Sequence, residues 1–159
     1  MREEVITLIY QYGKEMEPQL LLGLKKKKFG EGKYNGFGGG VEKGETLEEA
    51  AIRETLEEAR IHIMTPERWG KILFTFDSGE QNHLVHFFKV RYYGESAKET
   101  EEMKPQLFNL DKIPYEKMWE DDKYWLPLLL QRKKFKGIFH YDSNSKIKNY
   151  KLNEVNQLR

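Results

Sequence analysis

Residues 38–61 read Gly38-Gly39-Gly40-Val41-Glu42-Lys43-Gly44-Glu45-Thr46-Leu47-Glu48-Glu49-Ala50-Ala51-Ile52-Arg53-Glu54-Thr55-Leu56-Glu57-Glu58-Ala59-Arg60-Ile61. The second half predicts a helix from Thr46 to Arg60. Thr46 with Glu49 three residues on is a capping box, and Glu48 and Glu49 put negative charge at the amino end. At about 100° per residue, Glu54, Glu57 and Glu58 share roughly one third of the circumference, with Ala50 and Ala51 in the same sector. Ile52, Thr55, Leu56 and Ala59 make the opposite stripe, which predicts the core face. Like charges one turn apart repel by about 0.2–0.5 kcal/mol per pair. A hard divalent cation reverses that sign, Mg²⁺ first and Mn²⁺ as the alternative. Arg53 is within reach of Glu49 or Glu57 along the helix, or of Glu45 before it. Residues 30–44 hold seven glycines, a density that helix and plain strand both disfavour. Such a loop brings backbone groups onto ions and phosphates. Acidic helix faces are most often simply solvated; the glycine loop and the arginine beside the first acid turn the reading toward metal-assisted hydrolysis of a phosphate compound.

Working outward, residues 4–12 predict a strand, and Gln19 to Leu24 a strand buried on both faces. The run Lys25 to Lys28 is placed to steer a triphosphate, although for Lys26 to Lys28 a solvated strand end is the expectation. After the helix, residues 68–77 and 81–93 predict a hairpin turning at Asp77-Ser78-Gly79-Glu80. Glu95 to Lys104 reads as a charged loop and Gln106 to Leu110 as a short strand. A second helix is expected over Trp119 to Lys134, beginning at Glu120-Asp121-Asp122 and disturbed by Pro127. Residues 135–141 and 146–152 predict a closing hairpin. The order gives a mixed β-sheet sandwiched between helices, class α/β (α+β), as one domain over residues 1–159.

Composition narrows the function. Lys and Arg total 27 against 26 Asp and Glu, so net charge gives no reason to bind nucleic acid. With no cysteine, disulfide scaffolds, thiolate zinc sites and cysteine nucleophiles are all excluded. No apolar run reaches the length of a membrane span, and the start has no signal-peptide layout, so a cytoplasmic location is expected. The four histidines His62, His83, His86 and His140 lack helical ligand spacing, and His86 reads as a packed strand residue.

The glycine, the acids and the arginine together resemble the Nudix family. Its box, G-x5-E-x7-R-E-U-x-E-E-x-G-U with U a bulky aliphatic, is matched by Gly39, Glu45, Arg53, Glu54, Glu57, Glu58 and Ile61. Thr55 replaces an aliphatic residue. Arg60 replaces a glycine, which is unfavourable if that residue must be left-handed. Further stretches (Lys25 to Gly39, Glu102 to Pro105, Met118 to Trp125, and Phe135 to Gly137) are similar to the branch of the family that hydrolyses oxidised purine nucleoside triphosphates. That resemblance implies an enzyme that releases a monophosphate and pyrophosphate and so cleanses the nucleotide pool. It implies Mg²⁺ on Glu54, Glu57 and Glu58, with the Gly38 backbone and Glu102 completing the site. Glu57 or Glu58 is the first candidate for the group acting on water and Glu102 the second, with Arg53 and Glu45 in the same machinery. It also implies a base pocket of Thr7, Phe29, Asn35, Phe74, Trp119, Asp121 and Asp122, with Lys25 near the mouth. Tyr34 stands in place of a tryptophan and His83 in place of a methionine of that pocket, so base preference is expected to differ. Two adjacent acids in an enclosed pocket do not both ionise easily, so one is expected to keep a proton. The same pair would serve equally as an ordinary helix cap. The expected partner is a small-molecule nucleotide, with no nucleic acid, no membrane and a monomeric state. Other nucleotide substrates, or a sensor that binds without cleaving, are the alternatives.

Overall fold

The computed structural model describes residues 1–158. Its strands are β1 (Arg2–Tyr12), β2 (Pro18–Lys25), β3 (Tyr34–Asn35), β4 (Phe37–Gly40), β5 (Glu67–Phe76), β6 (His83–Arg91), β7 (Met103–Asn109), β8 (Lys134–Tyr141) and β9 (Ile147–Val155). Helix α1 (Leu47–Ala59) follows β4, and α2 (Asp122–Leu130) follows β7. The strands form one mixed sheet in the order β3-β2-β1-β6-β5-β8-β9, with β4 paired to β1 and β7 to β2. β1 runs parallel to β6 and β5 parallel to β8, while the remaining pairs are antiparallel.

Alternation along β1 sorts the core into two layers. Leu8, with Phe87, Trp125, Leu126, Leu129, Phe135 and Phe139, is buried on the side covered by α2. Val5 and Ile9 face the other way, onto Ala50, Ala51, Ala59 and Ile61. Each large apolar side chain fully buried there contributes about 1.5–3 kcal/mol relative to exposure.

Helix α1 begins as predicted. The Thr46 hydroxyl accepts from the Glu49 N–H, and the Glu49 carboxylate accepts from the Thr46 N–H. Its packing face differs from the expected stripe. Thr55 and Ala59 are buried, but Leu56 is 42% exposed, whereas Ala50, Ala51 and Glu58 are inside. The reason is what α1 packs against: the glycines of β4 bring bare backbone to its acidic face. A Cβ on Gly38 would lie 1.8 Å from the Val5 carbonyl oxygen, and one on Gly39 would lie 2.6 Å from the Glu54 carboxylate. Only glycine permits that approach. The second helix is shorter than expected and contains Pro127 within it.

Candidate active site

The loop–helix junction holds the first group of acids. Arg53 organises it. Its Nε and Nη2 donate to the two oxygens of Glu45 at 2.7 and 2.9 Å, Nη2 also donates to the Gly40 carbonyl at 3.0 Å, and Nη1 donates to Glu54 at 2.8 Å. Of the partners open to Arg53, Glu45 is the one that takes the fork–fork geometry; Glu57 lies 3.5 Å away. That fork holds the Glu45 carboxyl below its usual range.

Glu58 is 4% exposed, accepts from the Gly38 N–H at 2.8 Å and lies 3.9 Å from the Lys25 ammonium. Burial, then Glu54 and Glu102, push its carboxyl up to about 7 against the pull of Gly38 and Lys25. Burial raises Glu54 as well, with Glu57 and Glu102 adding to it and Arg53 opposing it. Glu102 thus faces both acids, while its own carboxylate is 3.7 Å from Lys28. Among the described residues, no three acidic or imidazole side chains already stand close enough to enclose an ion. The donor set nevertheless fits a hard divalent cation: the acids offer oxygen only, two of them are withdrawn from water, and their mutual repulsion is one that a cation relieves. Lys26 to Lys28 are exposed, as a solvated strand end requires, and Lys26 and Lys27 pair there with Glu99 and Glu101.

The second group lies at the other side of β1. A pocket of about 290 Å³ is lined by Glu4, Ile6, Phe29, Asn35, Phe74, Phe76, His83, Trp119, Asp121, Asp122 and Tyr141, among others. Phe29 stacks on Trp119 with centroids 5.0 Å apart, and Lys33 sits over the Trp119 ring. Asp121 accepts from the Trp125 indole N–H at 2.7 Å and from the Tyr141 hydroxyl. Asp121 stands at the N-cap position of α2 and Asp122 in its first turn, as the helix-cap reading expects, but Asp121 makes no side-chain capping bond. Both acids are buried. Burial pushes both carboxyls up, Asp122 well above its ordinary value because the Asp121 charge lies beside it. Asp121, which accepts from two donors, is the better placed of the pair to carry charge, and the pair as a unit is disposed to hold a proton.

Seven of the nine expected pocket residues are therefore brought together. Thr7 and Lys25 are not among the lining. Thr7 is on the β1 face that carries Val5 and Ile9, buried with its hydroxyl unpartnered. Lys25 sits beside Glu58 instead. Ile6, Glu4, Phe76 and Tyr141 line the pocket without having been expected there. Glu4 holds His83 Nδ1 at 2.8 Å, a contact made by the parallel pairing of β1 with β6 that no local pattern announces. The period-2 alternation through Ile6 would have pointed to that residue.

A helix carrying R-E-x-x-E-E above a glycine strand, with a pocket across the sheet, defines a Nudix hydrolase, and the chain belongs to that family: the NUDIX domain matches residues 2–129. It is 44% identical over 153 residues to the oxidized purine nucleoside triphosphate hydrolase of Danio rerio, covering 96% of this chain and 95% of that one. It is 46% identical over 141 residues to the protein of the same name from Mus musculus, covering 88% and 90%. A MutT protein from Bacillus halodurans superposes with a TM-score of 0.82 at 25% identity, over 96% of this chain and 98% of that one. Nudix hydrolases generally use a divalent metal. Among the described residues, no helix is long and apolar enough to cross a membrane.

Proposed function

We propose that this chain hydrolyses oxidised purine nucleoside triphosphates to the monophosphate and pyrophosphate. The observation that carries the substrate class is the buried pair Asp121-Asp122 in an aromatic pocket. Oxidised purines differ from normal ones in a few edge donors and acceptors. A protonated acid beside an ionised one offers one of each, and Asn35 offers both. Phe29 and Trp119 supply the stacking faces, once a base displaces one ring from the other. The names of the zebrafish and mouse relatives support the same class.

Glu54, Glu57 and Glu58, with Glu102 and the Gly38 backbone, would hold Mg²⁺. Bound there, the ion supplies Lewis-acid neutralisation of the phosphate charge. Glu57 or Glu58 positions the attacking water and accepts its proton, while Arg53 and Glu45 fix the helix against the glycine strand. Lys25 meets the phosphates rather than the base. His83 replaces an apolar wall with a ring whose Nδ1–H is given to Glu4, leaving Nε2 for the ligand and so shifting base preference. Residues 1–159 act as one domain in this reading, as a cytoplasmic monomer that needs neither nucleic acid nor membrane.

The test is pyrophosphate release in Mg²⁺ from dGTP, dATP, 8-oxo-dGTP, 2-hydroxy-dATP and O6-methyl-dGTP at equal concentration. Strong preference for 8-oxo-dGTP or 2-hydroxy-dATP is expected. Equal rates across the panel would remove the substrate assignment and leave the family chemistry.

A further inference from the structure

A second cleft, larger than the base pocket, lies elsewhere in the molecule. A cavity of about 680 Å³ opens at the other end of the same sheet face, lined by Tyr10, Tyr12, Trp69, Lys89, Arg91 and Arg132, with Glu67 as its one lining carboxylate. Ile6 of the base pocket and Tyr10 of this cleft lie on one face of β1, four residues apart, which is roughly 13 Å. The buried layer of Leu8, Phe87, Trp125 and Phe135 separates them. Helix α2 spans the two, with Asp122 at its amino end and Leu130 at its carboxyl end.

Charge and rings are arranged here in an unusual way. The Lys89 ammonium is 3.7 Å from the Trp69 ring centroid and 6.0 Å from that of Tyr10. Lys134 approaches Trp69 as well, at 5.6 Å. Arg91 lies over Tyr12 at 5.0 Å and donates to its hydroxyl at 2.9 Å. Aromatic faces hold cations in place without neutralising them, so the charges remain available. Burial, Arg132 and Arg91 together hold the Lys89 ammonium below its usual range, with Glu67 alone opposing. The carboxyl end of α2 adds about half a negative charge, which does not cancel three lining cations set against one carboxylate.

Two local irregularities build the cleft. Trp69 is the extra residue of a β-bulge, where the register with β6 shifts between Arg68 and Gly70. A bulge re-aims the side chain it inserts. The Trp69 indole N–H is buried with no acceptor. Arg132 has φ 61, a left-handed conformation that follows α2 and ordinarily falls to glycine. An arginine retained at that position, beside Lys89 and Tyr10, keeps a charge where the backbone favours a residue without one.

We propose that this cleft is a second binding site, for the phosphate chain of a polyphosphate or of a nucleoside triphosphate, separate from the Nudix box and its pocket. The aromatic faces are already taken by cations, so the phosphate chain, not a stacked base, is what the cleft recognises. Free polyphosphate and a nucleotide are the two sources of that chemistry.

The three tryptophans (Trp69 in the cleft, Trp119 in the base pocket and Trp125 in the core) serve as separate reporters. Tripolyphosphate is titrated into the full chain in EDTA, and the indole N–H resonances are followed by ¹H–¹⁵N NMR. The Trp69 resonance is expected to move and saturate. The Arg91→Gln/Arg132→Gly variant is expected to raise that midpoint at least fivefold, with kcat for pyrophosphate release unchanged. The Arg132→Gly change also relieves the left-handed backbone, so loss of fold does not imitate the result. Adding dGTP distinguishes the sources: a lower midpoint at Trp69 than with tripolyphosphate assigns the site to nucleotides, and an equal one assigns it to the phosphate chain alone. A Trp69 resonance that stays still, moves without saturating, or responds equally in the variant would overturn the site. So would a response to a single-stranded oligonucleotide with none to tripolyphosphate.

Discussion

Among the described residues, carboxylates wholly or partly withdrawn from water gather in two places, and their neighbours give them opposite duties. Glu54 and Glu58 are met by Arg53, Lys25 and a backbone N–H, and they face a further acid, Glu102. They are arranged to act as charges. Asp121 and Asp122 are met by Tyr141, Trp125 and one another. Tyr141 and Trp125 are neutral donors, and the pair is arranged to share a proton. Burial raises all four carboxyls, so desolvation alone does not set the role; the kind of partner does.

Removing charge should therefore have very different effects at the two places. Glu57→Gln deletes one anion from the α1 group at a side chain that is 58% exposed. Turnover should fall by about 10²–10⁴-fold, with an unchanged unfolding midpoint. Near-normal turnover in the pyrophosphate assay would break the comparison at its metal side. Asp122→Asn replaces the acid that burial and the neighbouring Asp121 push toward its neutral form, and should reduce kcat/KM by less than about tenfold, the worth of a single neutral hydrogen bond.

Within the pair the two acids should also separate. Asp121→Asn offers one acceptor oxygen to two donors, Trp125 and Tyr141, and leaves a buried donor unmet. Urea unfolding should show a loss of about 1–3 kcal/mol. A loss as large in Asp122→Asn would mean that the proton sits on the other member.

The pair also predicts a pH slope. Asp122 has its folded-state pKa raised well above 3.8. The folded protein thus holds a proton that the unfolded chain releases. The associated stability is fully present below about pH 3.8 and is lost as pH rises through the folded-state value. Asp122→Asn cannot lose it. The stability of the variant relative to the parent should therefore increase from pH 4 toward pH 8 in thermal unfolding. A constant difference would show that Asp122 is ionised in the fold.

The α1 region was largely legible because its signals are local. The capping box, the acid spacing and the Arg53–Glu45 reach each span nine residues or fewer. What was misread there, Leu56 exposed and Glu58 buried, depended on the partner surface. A helical wheel assumes that an apolar face seeks the core, whereas β4 presents glycine backbone to the charged face. Strands β3 and β4 were missed for a related reason, since glycine-rich sequence disfavours strands until β1 and β2 supply the pairing. The base pocket is non-local: Glu4 meets His83 across the pairing of β1 with β6, and Asp121 at the start of α2 meets Tyr141 at the end of β8, contacts that no single stretch encodes. Only the resemblance pointed to the acid pair; Thr7, which it also put in the pocket, lies on the other face of β1, and Lys25, which it put near the mouth, lies 3.9 Å from Glu58.

The smallest predicted effect lies at the end of α1. Arg60 stands at the box position of a glycine, and it adopts the glycine conformation regardless, with φ 59 and its N–H bonded to the Leu56 carbonyl at 3.0 Å. The helix did not find another way to end, because Ile61 and Ile63 beyond it are buried against Ile9 and Phe37 and fix the direction of the chain. A non-glycine residue there costs about 1–2 kcal/mol, and glycine returns part of that through its freer unfolded chain. Arg60→Gly should accordingly stabilise the protein by about 0.5–1 kcal/mol in urea unfolding, without changing turnover. A destabilised variant would mean that the Arg60 side chain holds the loop of Glu99 to Glu101 in place, since it shares a shallow surface cleft with those residues. The end of the acidic helix would then depend on that loop rather than on its backbone turn.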